Sequence, residues 1–297
     1  MTKILAIVSV PNGGYVTSVL LSAARSHAEG TLSHLDQPDT MSMQLQFVRR
    51  TRAGLGVVTI RHVKLGRSVS VIHLTLSQDG HDEVEGYLTQ TNFAKQQGIS
   101  QKTSFASSGI SPIPPPVDLN ALEKGGGDAN WFHDSHPPLS DFRKAMKHVA
   151  FYLPKHRPDP SFVEQWVRFR PGGPGHDFAP FTNDALGFVV DMFPLIVEQY
   201  PRPAGEKQQT RWYPTVALNL DIKKRLPPEG VKWLYVRVRA GDIRNGRMDL
   251  QIVVLDAGGE LVALSSHVSL ILLAARNLAA RRRGEDRVDV SKNGGKL

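Results

Sequence analysis

Hydrophobic residues in the first third of the chain follow first a helical and then a strand period. Residues 4–10 form one apolar run that predicts a short β-strand, and Pro and Gly residues at 11–14 interrupt it. Apolar residues then recur at helical spacing, which predicts a helix over residues 15–27. After Pro38, apolar and polar residues alternate with a period of two, which predicts three β-strands at 41–48, 57–63 and 68–76.

The second half of the chain repeats this order of elements. The pattern predicts a strand over 163–169, a Gly- and Pro-rich break over 171–175 and a long helix over 183–200. Between the two halves, residues 99–140 are rich in Ser, Pro and Gly, which predicts a linker or an extended crossing. Four strands are then expected after the second helix, at 215–222, 232–238, 248–255 and 261–272.

Short stretches of the two halves also align with each other. Residues 45–50 align with 220–225, and residues 66–72 align with 246–252. A unit of one helix and several antiparallel strands leaves a sheet edge uncovered, so we expect the two units to join edge to edge in one α+β sheet. The expected organisation is an N-terminal repeat at 1–98, a linker at 99–140, a C-terminal repeat at 141–280 and a basic polar tail at 281–297.

Composition and charge narrow the classes of function. None of the 297 residues is cysteine, which excludes disulfides, thiolate nucleophiles and Cys-based metal sites, and no metal site is expected. The net charge is +8, but basic and aromatic residues do not interleave, so no nucleic-acid partner is expected. No apolar run reaches the roughly 18 residues of a membrane span, and we expect a cytoplasmic protein. The last three residues, Gly295 to Leu297, resemble a Ser-Lys-Leu peroxisomal signal except at the first position.

Two motifs and the order of elements resemble a known family. The unit of one helix and several strands, with paired glycines at the helix start, resembles a hot dog. The run from Gly66 to Ser70 and the run from Gly259 to Ala263 resemble the acyl-CoA thioesterase II family and its thioesterase-like relatives. The resemblance spans residues 4–280. It implies a double hot dog, in which two helix-on-sheet repeats share one continuous sheet, and hydrolysis of a thioester without a cofactor.

The resemblance also implies three catalytic residues in the second half. In that family an Asp on the second helix, a Thr on the next strand and a Gln on the last strand order the attacking water. The Asp corresponds to Asp191 of this chain. The other two positions are changed, because Asn219 stands where the family has Thr and His267 stands where it has Gln.

The residues themselves support part of this assignment. Asp191 interrupts an apolar stretch, where a carboxylate must be paired or hydrogen-bonded, as a general base with an altered pKa would be. The alternative is a solvent-facing Asp at the end of a helix. His267 lies among small and apolar strand residues, and its imidazole either accepts a proton near neutral pH or is a structural histidine. Asn219 either orients water through its amide or pairs across the sheet.

Five further residues are candidates for substrate binding. Gly13 and Gly14 precede the first helix, where free N–H groups favour a developing oxyanion; the alternative is a plain turn. Tyr15 follows them directly. Trp212 and Tyr213 precede a predicted strand and either line the substrate or pack in the core.

Two enzymatic functions are consistent with these residues. The first is thioesterase-like hydrolysis of an acyl or polyketide-type substrate, carried by CoA or a carrier protein, in a tunnel between the two helices, with water activated by Asp191. The alternative is a lyase, dehydratase or cyclase of natural-product biosynthesis that uses Asp191 and His267 as an acid–base pair. A non-catalytic lipid-binding module is a third reading, and the sequence leaves self-association into a homo-oligomer open.

Overall fold

The computed structural model describes residues 2–6, 12–101, 113–137, 140, 143–157, 159–201 and 211–273, with side chains outside 2–6. The α-helices in these ranges are α1 Gly13–Gly30, α2 Leu119–Gly125 and α3 Leu186–Val189. Short 3-10 helices cover Ser33–Leu35, Phe93–Lys95, Lys144–His148, Asn183–Ala185 and Ile196–Gln199. The strands are β1 Thr2–Ala6, β2 Asp39–Phe47, β3 Gly54–Lys64, β4 Ser70–Gln78, β5 His81–Thr91, β6 Trp131–Asp134, β7 Val149–Pro154, β8 Phe162–Phe169, β9 Arg211–Trp212, β10 Thr215–Ile222, β11 Leu234–Arg244, β12 Arg247–Asp256, β13 Leu261–Leu270 and β14 Leu272–Leu273.

One antiparallel sheet runs through both halves of the described chain. Its strand order is β1-β3-β4-β5-β2-β10-β13-β12-β11-β8-β7-β6, while β9 and β14 pair separately. The halves meet where β2 pairs with β10, with Met43 opposite Leu220. Outward from this seam, β5, β4, β3 and β1 mirror β13, β12, β11 and β8. The predicted edge-to-edge joining of two repeats is therefore confirmed.

Helix α1 covers the core-facing side of the sheet. It begins after Asn12, whose side chain accepts the N–H of Tyr15 and caps the helix. Leu20 and Ala24 are fully buried on the face that packs in the main core. Burying one leucine side chain contributes roughly 1.5–3 kcal/mol, so this face holds the helix against the sheet.

The second helix is much shorter than the predicted span of 183–200. After a 3-10 turn, α3 is helical only over Leu186–Val189, and the chain then turns before Pro194. Proline lacks an N–H, and its ring clashes with the carbonyl four residues earlier, here that of Val190, so a helix cannot continue through it. The turn after α3 carries Asp191.

Strand β5 lies outside the strands that the alternating pattern predicted. It follows a tight hairpin in which Asp79 and Gly80 both have positive φ, at 49° and 78°. An Asp-Gly pair is the residue combination that such a two-residue hairpin favours. β5 separates β4 from β2 in the sheet, so the seam between the halves depends on it.

The segment expected to be a linker contains regular structure. Helix α2 and strand β6 both lie within 99–140, and β6 forms the outer edge of the sheet beside β7. Their side chains Leu122 and Trp131 are fully buried in a second cluster with Trp166 and Tyr235. Because neighbouring strand residues point to opposite faces, Trp166 lies on the face opposite Val167 of the main core. This segment therefore covers the second face of the C-terminal half.

The basic tail at 281–297 lies outside the described residues, as does the C-terminal tripeptide. Within the described helices, none is long and apolar enough to cross a membrane.

Candidate functional site

Helices α1 and α3 pack directly against each other through glycines. A Cβ atom added to Gly14 would lie 2.7 Å from the Cβ of Asp191 and 2.9 Å from the carbonyl oxygen of Gly187. One added to Gly187 would lie 2.7 Å from the backbone nitrogen of Ser18, whose hydroxyl accepts the N–H of Phe188 at 2.7 Å. At Gly14 and Gly187 the contact leaves no space for a side chain larger than the hydrogen atom of glycine. The expected tunnel between the two helices is therefore closed where α1 and α3 touch.

Asp191 lies at this helix contact, in the turn after α3. Its Oδ2 accepts the N–H of Gly14 at 2.8 Å, and the residue is only 9% exposed. Burial raises the pKa of Asp191 to about 6, although the Gly14 N–H, the charge of Arg143 and the Asn12 amide all act to lower it. The alternative of a solvent-facing Asp is wrong, and the carboxylate has the altered pKa expected of a general base.

His267 faces Asp191 from strand β13. Its Nδ1 lies 3.8 Å from Oδ1 of Asp191, and the residue is 2% exposed. Burial lowers the pKa of His267 to about 3, so the imidazole is neutral at physiological pH and the approach is not an ion pair. Nε2 lies 3.1 Å from the hydroxyl of Ser265, whereas Nδ1 is buried without a hydrogen-bond partner among the described residues.

The side chain of Asn219 points away from Asp191 and His267. It is exposed on the opposite face of the sheet, where its amide donates to the hydroxyl of Ser266 at 3.2 Å. The core-facing positions of β10 are its neighbours Leu218 and Leu220, both fully buried. The prediction that the Asn219 amide holds water beside Asp191 is thus wrong. Asn219 contributes its backbone carbonyl instead, which accepts the hydroxyl of Ser265 at 2.5 Å.

The two glycines that begin α1 position the carboxylate. The Gly14 N–H is already donated to Asp191, so the expectation that it binds an oxyanion is replaced by this role. A Cβ on Gly13 would lie 3.2 Å from Oδ2 of Asp191, a tight contact but a less severe one than at Gly14. Tyr15 is 37% exposed at the helix start, and its N–H donates to the side chain of the capping residue Asn12.

Trp212 and Tyr213 lie beside the site rather than in contact with Asp191. Trp212 belongs to β9 and pairs with Leu272 of β14. The hydroxyl of Tyr213 donates to the carboxylate of Glu198, and burial together with Glu198 raises the pKa of Tyr213. Tyr213 also acts electrostatically on Arg143, and its ring packs against the main core.

Three polar side chains of the site escaped the sequence predictions. Arg143 donates to the carbonyl of Phe193 at 2.8 Å, and Gln165 donates to that of Met192 at 2.6 Å, so both hold the turn that carries Asp191. The third is Ser265 beside His267. Gln165 had a sequence signal, because strand alternation places it on the core face with Val163 and Val167. Arg143 had none, since it precedes a 3-10 turn with no periodic pattern.

No group of three or more His, Asp or Glu side chains that could hold a metal ion occurs in the described chain. The described part of the site contains the buried carboxylate of Asp191, the neutral imidazole of His267 and the groups that hold them.

Comparison with known proteins assigns each half of the chain. Family models match an acyl-CoA thioesterase N-terminal domain at residues 5–91 and an acyl-CoA thioesterase C-terminal domain at residues 116–271. The thioesterase-like protein TwmA of Talaromyces wortmannii is 34% identical over 308 residues, which cover 91% of this chain and 86% of that relative.

Solved structures share the architecture. An acyl-CoA thioesterase II, TesB2, of Mycobacterium marinum matches with a TM-score of 0.60 and 18% identity, over 89% of this chain and 90% of that chain. A protein of unknown function with a hot dog fold from Alicyclobacillus acidocaldarius matches with a TM-score of 0.63 and 19% identity, over 89% and 88%. The predicted double hot dog is confirmed.

Proposed function

This chain belongs to the acyl-CoA thioesterase family, and we propose that it hydrolyses an acyl or polyketide-type thioester with a water molecule that Asp191 deprotonates. The observation that carries the proposal is the setting of the Asp191 carboxylate. It is buried, held by the N–H of Gly14 and faced by a neutral imidazole, and its pKa is raised to about 6. A base of this pKa is mostly ionised at neutral pH and more basic than an ordinary carboxylate.

Hydrolysis of the thioester consumes one water molecule. The water oxygen forms a bond to the thioester carbonyl carbon while a water proton passes to Asp191. The tetrahedral intermediate then breaks its carbon–sulfur bond, and the proton on Asp191 returns to the leaving thiolate. The products are a free carboxylic acid and a thiol, which is CoA or the pantetheine arm of a carrier protein.

The protonation states predict the pH dependence of hydrolysis. Asp191 acts as a base only when ionised, so kcat/KM should rise with pH through about 6. His267, whose pKa is about 3, remains neutral across this range and adds no second inflection.

A lyase is the second candidate, and the approach of His267 to Asp191 favours it. In this reaction neutral His267 removes a proton from the substrate, and protonated Asp191 gives its proton to a departing hydroxyl group as water. The proton on His267 then passes to Asp191, 3.8 Å away, which restores both groups. Asp191 must then be in its acid form, which is populated below about pH 6. The lyase rate should therefore fall as the pH rises through about 6, opposite to hydrolysis.

The test is incubation of the purified protein with acyl-CoA and acyl-carrier-protein thioesters of varied chain length and oxygenation. A thiol reagent measures hydrolysis, and the product mass detects loss of water without thiol release. Asp191→Asn should lower kcat roughly 10²–10⁴-fold. Asp184→Asn is the matched control, since Asp184 forms an ion pair with Arg25 outside the site and the variant should keep full activity.

Three results would contradict hydrolysis. One is full activity in Asp191→Asn. Another is loss of water with no thiol released, together with a rate that falls above pH 6, which would establish the lyase. The third is acyl-CoA binding with neither product, which would establish a lipid-binding module.

A further inference from the structure

The hydrogen bonds of Ser265 determine which nitrogen of His267 carries the proton. The Ser265 hydroxyl has one hydrogen, and the carbonyl oxygen of Asn219, 2.5 Å away, can only accept it. The hydroxyl oxygen therefore presents a lone pair to Nε2 of His267 at 3.1 Å. Two lone pairs at that distance would repel, so Nε2 must carry the hydrogen of the neutral ring. Nδ1 is then an unprotonated acceptor.

This tautomer places two hydrogen-bond acceptors opposite each other. Nδ1 of His267 lies 3.8 Å from Oδ1 of Asp191, and Nδ1 is buried without a hydrogen-bond partner among the described residues. A single donor with two hydrogens satisfies both acceptors. A water oxygen roughly 2.8 Å from each of them is compatible with a separation of 3.8 Å.

We propose that Ser265 is a positioning residue that holds His267 in the Nε2-protonated form. Nδ1 of His267 and Oδ1 of Asp191 then each accept one hydrogen of the attacking water. The inference rests on the proposed hydrolysis and names how the nucleophile is bound. With both hydrogens engaged, a lone pair of the water oxygen points away from the two acceptors and toward the substrate carbonyl. Asp191 takes one of these hydrogens during attack.

The opposite tautomer would remove one of the two acceptors that hold the water. If Nδ1 carried the hydrogen, this hydrogen would point at Oδ1 of Asp191, 3.8 Å away, and the imidazole would no longer offer an acceptor to the water. Of the two groups, only Asp191 would then accept a hydrogen from the water, and the water would no longer be oriented by two acceptors. Leu218 and Leu250, the neighbours opposite His267 on β10 and β12, offer no side-chain hydrogen bond that would select either tautomer. Ser265 is thus the group that decides.

The experiment measures the tautomer directly, by nitrogen NMR of protein labelled in its histidine rings at about pH 7.5. In the wild type, His267 should show a protonated Nε2 and an unprotonated Nδ1. Ser265→Ala should move the hydrogen to Nδ1 and lower kcat roughly 10- to 100-fold with KM unchanged. Ser265→Thr retains the hydroxyl and should restore both the tautomer and the rate.

Ser266→Ala is the matched control, because Ser266 is the next residue of β13 and contacts Asn219 on the exposed face. It should leave both the NMR signals and kcat unchanged. A wild-type His267 protonated on Nδ1, or a Ser265→Ala protein with an unaltered tautomer, would overturn the inference. If the tautomer shifts as expected but no substrate is hydrolysed by the wild type, the positioning role of Ser265 stands and the proposed hydrolysis fails.

Discussion

The buried carboxylate of Asp191 should lower the free energy of unfolding at neutral pH, and the Asp191→Asn variant should be more stable than the wild type. The substitution keeps the side-chain size and an oxygen that can accept the N–H of Gly14, but it removes the charge. The expected stabilisation therefore reports on desolvation of the carboxylate. A residue that supports catalysis would in this way be one that opposes folding.

The size of the effect follows from the pKa. Folding raises the pKa of Asp191 from 3.8 to about 6, because burial disfavours the ionised form. The folded protein therefore binds this proton more tightly than the unfolded chain does. The stability from this group is fully present below about pH 3.8 and is lost as the pH rises through about 6. At about 1.36 kcal/mol per pKa unit, the loss in the free energy of unfolding is about 3 kcal/mol.

Urea unfolding followed by tryptophan fluorescence, at several pH values between about 4 and 8, measures this difference. His267 has the opposite dependence, because its lowered pKa removes stability as the pH falls from about 6.5 toward about 3. Both proteins contain His267, so its contribution largely cancels when the variant is compared with the wild type. The variant should match the wild type near pH 4 and exceed it by up to about 3 kcal/mol at pH 8.

A difference that does not change with pH would refute this reasoning. A wild type more stable than Asp191→Asn at pH 8 would show that Gly14 and Arg143 solvate the carboxylate better than water does.

Two further substitutions test the geometry of the site. Gly14→Ala should destabilise the protein by roughly 1–3 kcal/mol and abolish activity, because the added methyl group would overlap Asp191. Chemical denaturation measures the loss of stability. The control is Gly30→Ala, at the open end of the same helix, which should lose no stability. Arg143→Met removes a positive charge that lowers the pKa of Asp191, so the acidic limb of the pH–rate profile should move above about 6, whereas Lys144→Met, an exposed neighbour, should leave the limb in place. An acidic limb unchanged in Arg143→Met would show that its charge does not reach the carboxylate.

The sequence alone predicted the repeated architecture. The alternating runs at 215–222 and 248–255 correspond closely to β10 and β12, since a half-buried strand must place an apolar residue at every second position. The unusual position of Asp191 in an apolar stretch was also visible, because burying a carboxylate is costly wherever it occurs. The sequence also contains a hairpin signal before β5, the pair Asp79-Gly80.

The tertiary structure alone decided how the site is assembled. Asn219 was expected on the core face, but its side chain lies on the outer face. A shift of one residue along a strand moves a side chain to the other side of the sheet, and a resemblance between short motifs does not determine the register to one residue. The Asp191 carboxylate is held by the N–H of Gly14, 177 residues away in the chain, and its pKa is raised because folding buries it. The tautomer of His267 depends on a carbonyl of a neighbouring strand. A local pattern determines which residues are buried, but the partners of a buried polar group come from distant segments that only folding brings together.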